Sequence, residues 1–218
     1  MSELSPQAQA FLDNSDVDWV IDEVRQRIMT GDLDDLDVTA DLLLEGAEQE
    51  DASLDDETAE ELTTHLWAES LDTAEEWADR TTDVDRVMAA FESLVEQDIS
   101  VGVFVDWPEM ELQDDDRGGV VIWVNEWERM SWTETTEIAI HFAGVTSSDA
   151  EIGQALFDAL TAAGLKPGAP QDGSLALPVL WQWHVSDPDD EDFDDEEEFD
   201  DADPDNDDLA NKDQPDLR

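Results

Sequence analysis

The hydrophobic residues of the first 97 positions recur with the spacing of amphipathic helices. Apolar side chains at i, i+3, i+4, i+7 and i+11 fall on one helical face. Four segments have this type of stripe: residues 17–28, 37–49, 59–71 and 81–97. We predict that the second helix ends near Gly46 and that Thr82 or Asp83 is the N-cap of the fourth.

After residue 98 the apolar pattern changes to the period of two that is typical of strands. Four segments predict strands: residues 99–107, 120–126, 137–144 and 177–185. An acidic turn that contains Gly118 and Gly119 joins the first two, so residues 101–126 predict a β-hairpin. A helical stripe in residues 149–163, followed by Gly164 as its C′ residue, separates the last two strands.

Helices and strands therefore occur in blocks, which predicts an α+β fold with a mostly antiparallel four-stranded sheet and one helix packed on it. We divide the chain into an N-terminal helical region, residues 1–75, and an α+β domain, residues 76–186. Residues 187–218 consist mainly of acids, Pro and Asn, with few large apolar residues, so they predict a disordered acidic tail.

The order of motifs in residues 77–183 resembles an uncharacterised domain family of bacterial proteins. The resemblance rests on a helix start with Trp77, Thr82, Asp83, Asp85 and Arg86, on the strands GGVVIWV and IAIHFAG, and on a late helix that ends in Ala-Gly-Leu. It implies the same α+β fold and implies no activity. Its members often have a cysteine pair after the first strand, and this chain has no cysteine.

The charge is extreme, with 62 Asp+Glu, 9 Lys+Arg and a formal net charge of −53. Residues 1–186 alone carry 44 acids and 7 bases, about −37, so the acidity is not confined to the tail. Such self-repulsion destabilises a compact chain unless salt screens it. The composition resembles that of salt-accumulating haloarchaea and predicts diffuse hydrated cations on the surface. With so few basic residues, direct nucleic-acid binding is not expected.

The candidates for chemistry are few. No motif predicts a cofactor, a catalytic set or a metal site, and without cysteine there is no thiolate chemistry. His141 and His184 could be neighbours if their strands pair, and they could then bind zinc or act as a base. Strand histidines are more often structural. A tail segment that superficially resembles a calcium loop has Asp208 at the position that requires glycine.

Nine tryptophans and no tyrosine are present. Trp123, Trp181 and Trp183 are at strand positions expected to pack in a core. Trp127 and Trp132 flank Arg129 and interrupt the strand pattern, so we predict that these three residues contact a partner protein. Phe193 and Phe199 are the candidate contacts in the tail.

These observations predict a soluble, halophilic, cytoplasmic protein without a membrane span or leader. We expect a non-enzymatic interaction or regulatory domain with an unknown protein partner. One alternative is an acidic mimic that inhibits a nucleic-acid-handling protein, although concentrated salt would weaken such a contact. The other is a hydrolase that uses His141 or His184.

Overall fold

The computed structural model describes residues 4–110, 112–186 and 188. The helices are α1 (Pro6–Leu12), α2 (Asp18–Thr30), α3 (Leu36–Gln49), α4 (Asp56–Ala74), α5 (Asp83–Val95) and α6 (Asp149–Ala162). The strands are β1 (Ile99–Val103), β2 (Gly118–Ile122), β3 (Thr136–Gly144) and β4 (Ser174–Val179). Short 3-10 helices occur at Glu75–Trp77, Trp107–Glu109 and Glu126–Arg129. The α+β prediction is confirmed.

The sheet has the order β1-β2-β3-β4. Two of its pairs are antiparallel, but β1 and β2 are parallel, with Ile99 opposite Gly118 and Val103 opposite Ile122. The predicted hairpin over residues 101–126 is therefore wrong. The connecting segment is long enough for a parallel crossover, which needs about a dozen residues. The connecting segment begins at Phe104, where a φ of 56° ends strand β1.

The two faces of the sheet are covered differently. Helices α5 and α6 pack on the face that carries Ile99, Val120, Ile140 and Leu177, and all four of these residues are buried. The segment between β1 and β2 packs on the other face, where a Cβ added to Gly119 would lie 3.0–3.1 Å from Trp107, Met110 and Leu112. The edge strand β1 thus lies between α5 and this connecting segment.

The helix boundaries follow from their caps. Both α5 and α6 begin with a complete capping box, Thr82 with Asp85 and Ser148 with Glu151. Helix α3 does not end near Gly46 as predicted but continues to Gln49. The reason is packing: an added Cβ at Gly46 would lie 2.5 Å from Val20, so this glycine permits close contact between α2 and α3 inside the helix.

Strand β4 begins and ends earlier than predicted, and residues 180–186 leave the sheet. This segment extends to the helical region: Val185 packs against its core and the Trp183 ring lies against Gly31. We call residues 4–75 the helical half and residues 76–186 the sheet half. The predicted tail, residues 187–218, lies outside the described residues apart from Pro188. Among the described helices, none has the length and apolarity needed to cross a membrane.

Candidate functional site

The segment between β2 and β3, residues 123–132, contains all three predicted partner-contacting residues of the folded part, and we call it the tryptophan loop. Its anchor is Glu126, a buried acid that is 6% exposed. Glu126 Oε2 accepts a hydrogen bond of 3.0 Å from the backbone N–H of Ala139 in β3. Strand β2 ends at Ile122, so the carboxylate satisfies an N–H that the neighbouring strand no longer reaches.

The helical half holds the loop from the other side. Gln26 Nε2 in α2 donates to the carbonyl oxygens of Trp127, at 3.0 Å, and Met130, at 2.7 Å. The Arg27 guanidinium lies 5.3 Å from the centroid of the Trp127 ring, within the range of a cation–π contact. The loop is therefore fixed by contacts from two different elements of the fold.

The structure separates the predicted contact residues by exposure. Trp127 is half-buried, and Trp132 is half-buried against Met29, Ala74 and Trp77. The Arg129 side chain is 57% exposed, and its Nη1 lies 3.7 Å from Glu126 Oε1. Trp127 and Arg129 share one short 3-10 helix, whereas Trp132 lies beyond it. Phe193 and Phe199 lie outside the described residues.

A second aromatic contact lies beside the loop, on the sheet face away from α5 and α6. The rings of Trp123 and His141 stack with their centroids 3.7 Å apart and an interplanar angle of 8°. Burial lowers the pKa of His141, and the negative charge of Glu126 acts in the opposite direction without reversing the shift. Trp123 is half-buried in this stack and does not lie in the core between sheet and helices.

His141 and His184 are not neighbours. His141 lies opposite Ser174, while β4 ends at Val179 opposite Thr136, so His184 follows five residues beyond the far end of the pairing. Its Nε2 is 3.1 Å from Asp85 Oδ2. Burial acts to raise the pKa of Asp85, but hydrogen bonds from the Thr82 backbone and from His184 outweigh it and lower the pKa. The Asp85 carboxylate therefore bonds both to Thr82, in the α5 capping box, and to His184.

Several other carboxylates are also part of the fold. Asp35 and Asp55 accept hydrogen bonds from the first turns of α3 and α4, and Glu61 accepts from the Ser5 backbone. Within the ranges that the structure describes, no group of three or more His, Asp or Glu side chains is arranged to hold a metal ion. His141 and His184, the residues of the hydrolase alternative, are not brought together in the fold.

The sequence did not identify two residues that build the loop, Gln26 and Glu126. Glu126 is one of 62 acids and no local pattern distinguishes it. Gln26 is a polar residue in an amphipathic helix, and its partners lie more than 100 positions away. Within the loop, the sequence pointed only to Arg129 and the two tryptophans that flank it.

Comparison with models of known protein families gives one match. The matching residues, 13–103, extend from the start of the α2 region to the end of β1. Neither the curated proteins nor the solved structures gave a match. The prediction of an uncharacterised domain family is confirmed. The family model covers residues 13–103, whereas the resemblance spans residues 77–183, so the two regions share only residues 77–103. Residues 13–103 thus match the model of the family described as "Domain of unknown function (DUF6891)".

Proposed function

We propose that this protein is a non-enzymatic interaction or regulatory domain of a salt-rich cytoplasm, and that the tryptophan loop contacts its protein partner. The observation that supports this proposal is the double anchoring of the loop by Glu126 and Gln26. A loop fixed on a rigid scaffold loses little conformational freedom on binding. Its exposed side chains, Val124, Asn125, Glu128 and Arg129, then form a preorganised contact surface.

Arg129 is the centre of this surface. Arginine is enriched at the energetically important positions of protein interfaces, because its planar guanidinium stacks and forms several hydrogen bonds. In a chain with 9 basic residues among 218, an exposed arginine next to a half-buried tryptophan is a distinctive feature. Its contact with Glu126 at 3.7 Å keeps the guanidinium near the loop backbone.

The experiment is a pull-down from lysate of the source cells in at least about 1 M KCl, where the Debye length is about 3 Å. Arg129→Glu should lose the specific partner that the unaltered chain retains. Arg80→Glu is the matched control, because Arg80 is also exposed and lies outside the loop. Equal retention by both variants, each with an unchanged circular dichroism spectrum, would contradict the role of the loop.

Deleting residues 187–218 in the same experiment separates this proposal from the acidic-mimic alternative. If the loop is the contact, the shortened chain keeps its partner. If the partner is lost only on deletion, the tail and its Phe193 and Phe199 carry the contact instead. In that case the tryptophan loop is not the binding surface.

Adaptation to salt is tested separately. A net charge of −53 favours the unfolded chain at low ionic strength, because expansion separates like charges. We expect the thermal midpoint to rise steeply as KCl increases from about 0.1 M to about 1 M, over which the Debye length falls from about 10 to about 3 Å. A midpoint that does not change over this range would contradict a halophilic protein.

A further inference from the structure

The sheet has two edges, β1 and β4, and each has a single strand neighbour in the described sheet. At the β4 edge Gly168 N–H donates to the Ala176 carbonyl, so the edge considered below is that of β1. The Ile122 carbonyl accepts from Val105 N–H, and the Asp98 carbonyl accepts from Arg117 N–H. The Ile122 carbonyl thus faces β1, and alternation along β2 directs Val120 and Gly118 to β1 as well. In the parallel register Ser100 lies opposite Gly119 and Gly102 lies opposite Val121, so Ser100 and Gly102 bond to β2, and the N–H and C=O groups of Val101 and Val103 point away from it. These backbone groups are available to another extended chain.

A groove of about 480 Å³ runs along this edge, and we call it the edge groove. One wall is the end of α5, where Val95 is 55% exposed. The opposite wall is the segment between β1 and β2, which contributes Val105 and Met110. An exposed valine at a helix end, facing further apolar side chains across a free strand, is the arrangement that an added strand would cover.

The charged side chains that line the edge groove indicate which charge a bound segment would carry. Its described lining carries three carboxylates, Asp98, Glu109 and Asp116, and no Lys or Arg. Hydrogen bonds from Ser100 and from the Gln113 backbone lower the pKa of Asp116, which keeps it ionised. A second copy of this chain would bring the same acids against them, and each copy carries a net charge of −53. Charge complementarity instead selects a basic occupant.

We propose that the edge groove binds an extended segment of a partner protein, in which apolar and basic residues alternate, as a fifth strand on β1. The apolar side chains would cover Val95 and Val101. Lysine or arginine side chains on the other face would lay their methylene groups over Val105 and Met110 and place their charges near Glu109. This surface is separate from the tryptophan loop and goes beyond the function proposed for it.

This mode of binding suits concentrated salt. Main-chain hydrogen bonds and apolar contacts supply the affinity of an added strand, and ionic screening weakens neither. The carboxylates Asp98 and Glu109 then mainly select against acidic segments. We therefore expect the affinity to decrease only modestly as KCl is raised.

The test uses the full chain and an acetylated, amidated hexapeptide that alternates valine and lysine, in about 1 M KCl. Binding is measured by isothermal titration calorimetry and located by amide hydrogen exchange. We expect increased protection at Val101 and Val103. Val101→Pro removes an outward N–H and should weaken binding at least tenfold, since proline is tolerated on edge strands. Glu109→Gln should weaken it severalfold, and less so at higher salt.

Two altered peptides keep the test independent of the stability of the variants. A hexapeptide with N-methyl groups on the amides that would face β1 should not bind, and one with glutamate in place of lysine should bind at least tenfold more weakly. Equal binding of the N-methylated peptide, or protection confined to other segments, would overturn the proposal. So would a concentration-dependent dimer, seen by sedimentation, that protects the same edge without peptide.

Arg129→Glu separates the two surfaces. It should leave the affinity for the hexapeptide unchanged, because Arg129 lies in the tryptophan loop and not in the edge groove. If this variant loses hexapeptide binding, the edge-groove proposal is wrong. If it loses the lysate partner and keeps the hexapeptide, both proposals stand.

Discussion

The two halves of the molecule complete their cores in different ways. The sheet half closes its own core, because α5 and α6 cover one face of a sheet formed by residues of the same half. The helical half has a core of residues from α1 to α4, but residues at the end of the sheet half complete it. Trp183 packs against Gly31, and Val185 packs against the helical core.

The contacts between the halves are also of a different kind from those within them. Inside the helical half, Arg25 pairs with Glu69 and Arg27 pairs with Asp32. None of the ion pairs among the described residues joins the two halves. They are joined by neutral hydrogen bonds from Gln26 and from Trp181, by aromatic packing, and by the cation–π contact of Arg27 with the Trp127 ring. Screening by salt weakens ion pairs and leaves the neutral hydrogen bonds and the aromatic packing intact.

The largest expected effect is at Trp181, which is fully buried and donates a hydrogen bond of 2.9 Å to the Thr30 carbonyl in α2. Trp181→Ala should lower the free energy of unfolding by about 3–5 kcal/mol, because it leaves a large cavity. Trp181→Phe keeps most of the ring and should cost about 1–3 kcal/mol through the unsatisfied carbonyl. Urea denaturation in about 1 M KCl measures both.

Trp19→Phe is the control for these variants. Trp19 is 41% exposed, and its indole N–H donates to the Glu50 carboxylate at the surface. We expect a change within about 0.5 kcal/mol. If Trp181→Phe is equally mild, the hydrogen bond to Thr30 does not contribute to joining the halves.

The next effect compares two glycines that end helices with positive φ, Gly31 at 78° and Gly164 at 88°. An alanine at Gly164 meets nothing within 4 Å, so Gly164→Ala should cost about 1 kcal/mol for backbone strain alone. At Gly31 the new Cβ would lie 2.5 Å from the Trp183 ring. Gly31→Ala should therefore cost at least about 1–3 kcal/mol more. Equal losses would show that Trp183 moves away freely.

A smaller effect is expected at Gln26. Gln26→Leu removes the donor to the carbonyls of Trp127 and Met130 and should cost about 1–3 kcal/mol. Hydrogen exchange should show faster opening of residues 126–130 in this variant, with α6 unchanged. Unchanged exchange in the loop would show that Glu126 alone fixes it.

The smallest effect is a pH dependence from His141. Because burial lowers its pKa below the ordinary value of about 6.5, the folded state binds a proton less readily than the unfolded chain. The stability associated with neutral His141 is present above about pH 6.5 and is lost as the pH falls towards the lower folded pKa. Between pH 7 and pH 5 the unaltered chain should therefore lose more stability than His141→Phe does, as measured by urea denaturation at each pH. Parallel curves would contradict this.

The elements with strong local signals could be predicted from the sequence. The helix after Thr82, with its capping box, and the helix before Gly164 depend on residues within one or two turns. The parallel pairing of β1 and β2 could not be predicted, because the apolar pattern of a strand is the same in either orientation. Phe104, which follows β1, also adopts a positive φ that is uncommon for a bulky residue. The 14 residues between Val103 and Gly118 are compatible with either a long hairpin loop or a parallel crossover.

The candidate site was predicted only in part. The flanking tryptophans marked the loop near Arg129. The sequence did not show that Trp127 and Trp132 face the helical half, because their contacts there come from α2 and from Ala74, which are distant in the sequence. The edge groove had no signal in the sequence. Its exposed Val95 continues the apolar stripe of α5, which favours a buried position until the sheet edge beside it is known.

The contact between Trp181 and Thr30 also constrains how the protein can form during synthesis. The two residues are 151 positions apart, so the last turn of α2 leaves the ribosome long before its partner. During that interval Gly31 and the apolar residues near it are without Trp183 and Val185. At about 5–20 residues per second, the nascent helical half lacks these partners for roughly 8–30 seconds. A nascent chain stalled before residue 180 should therefore be more sensitive to protease near α2 than one released after residue 186.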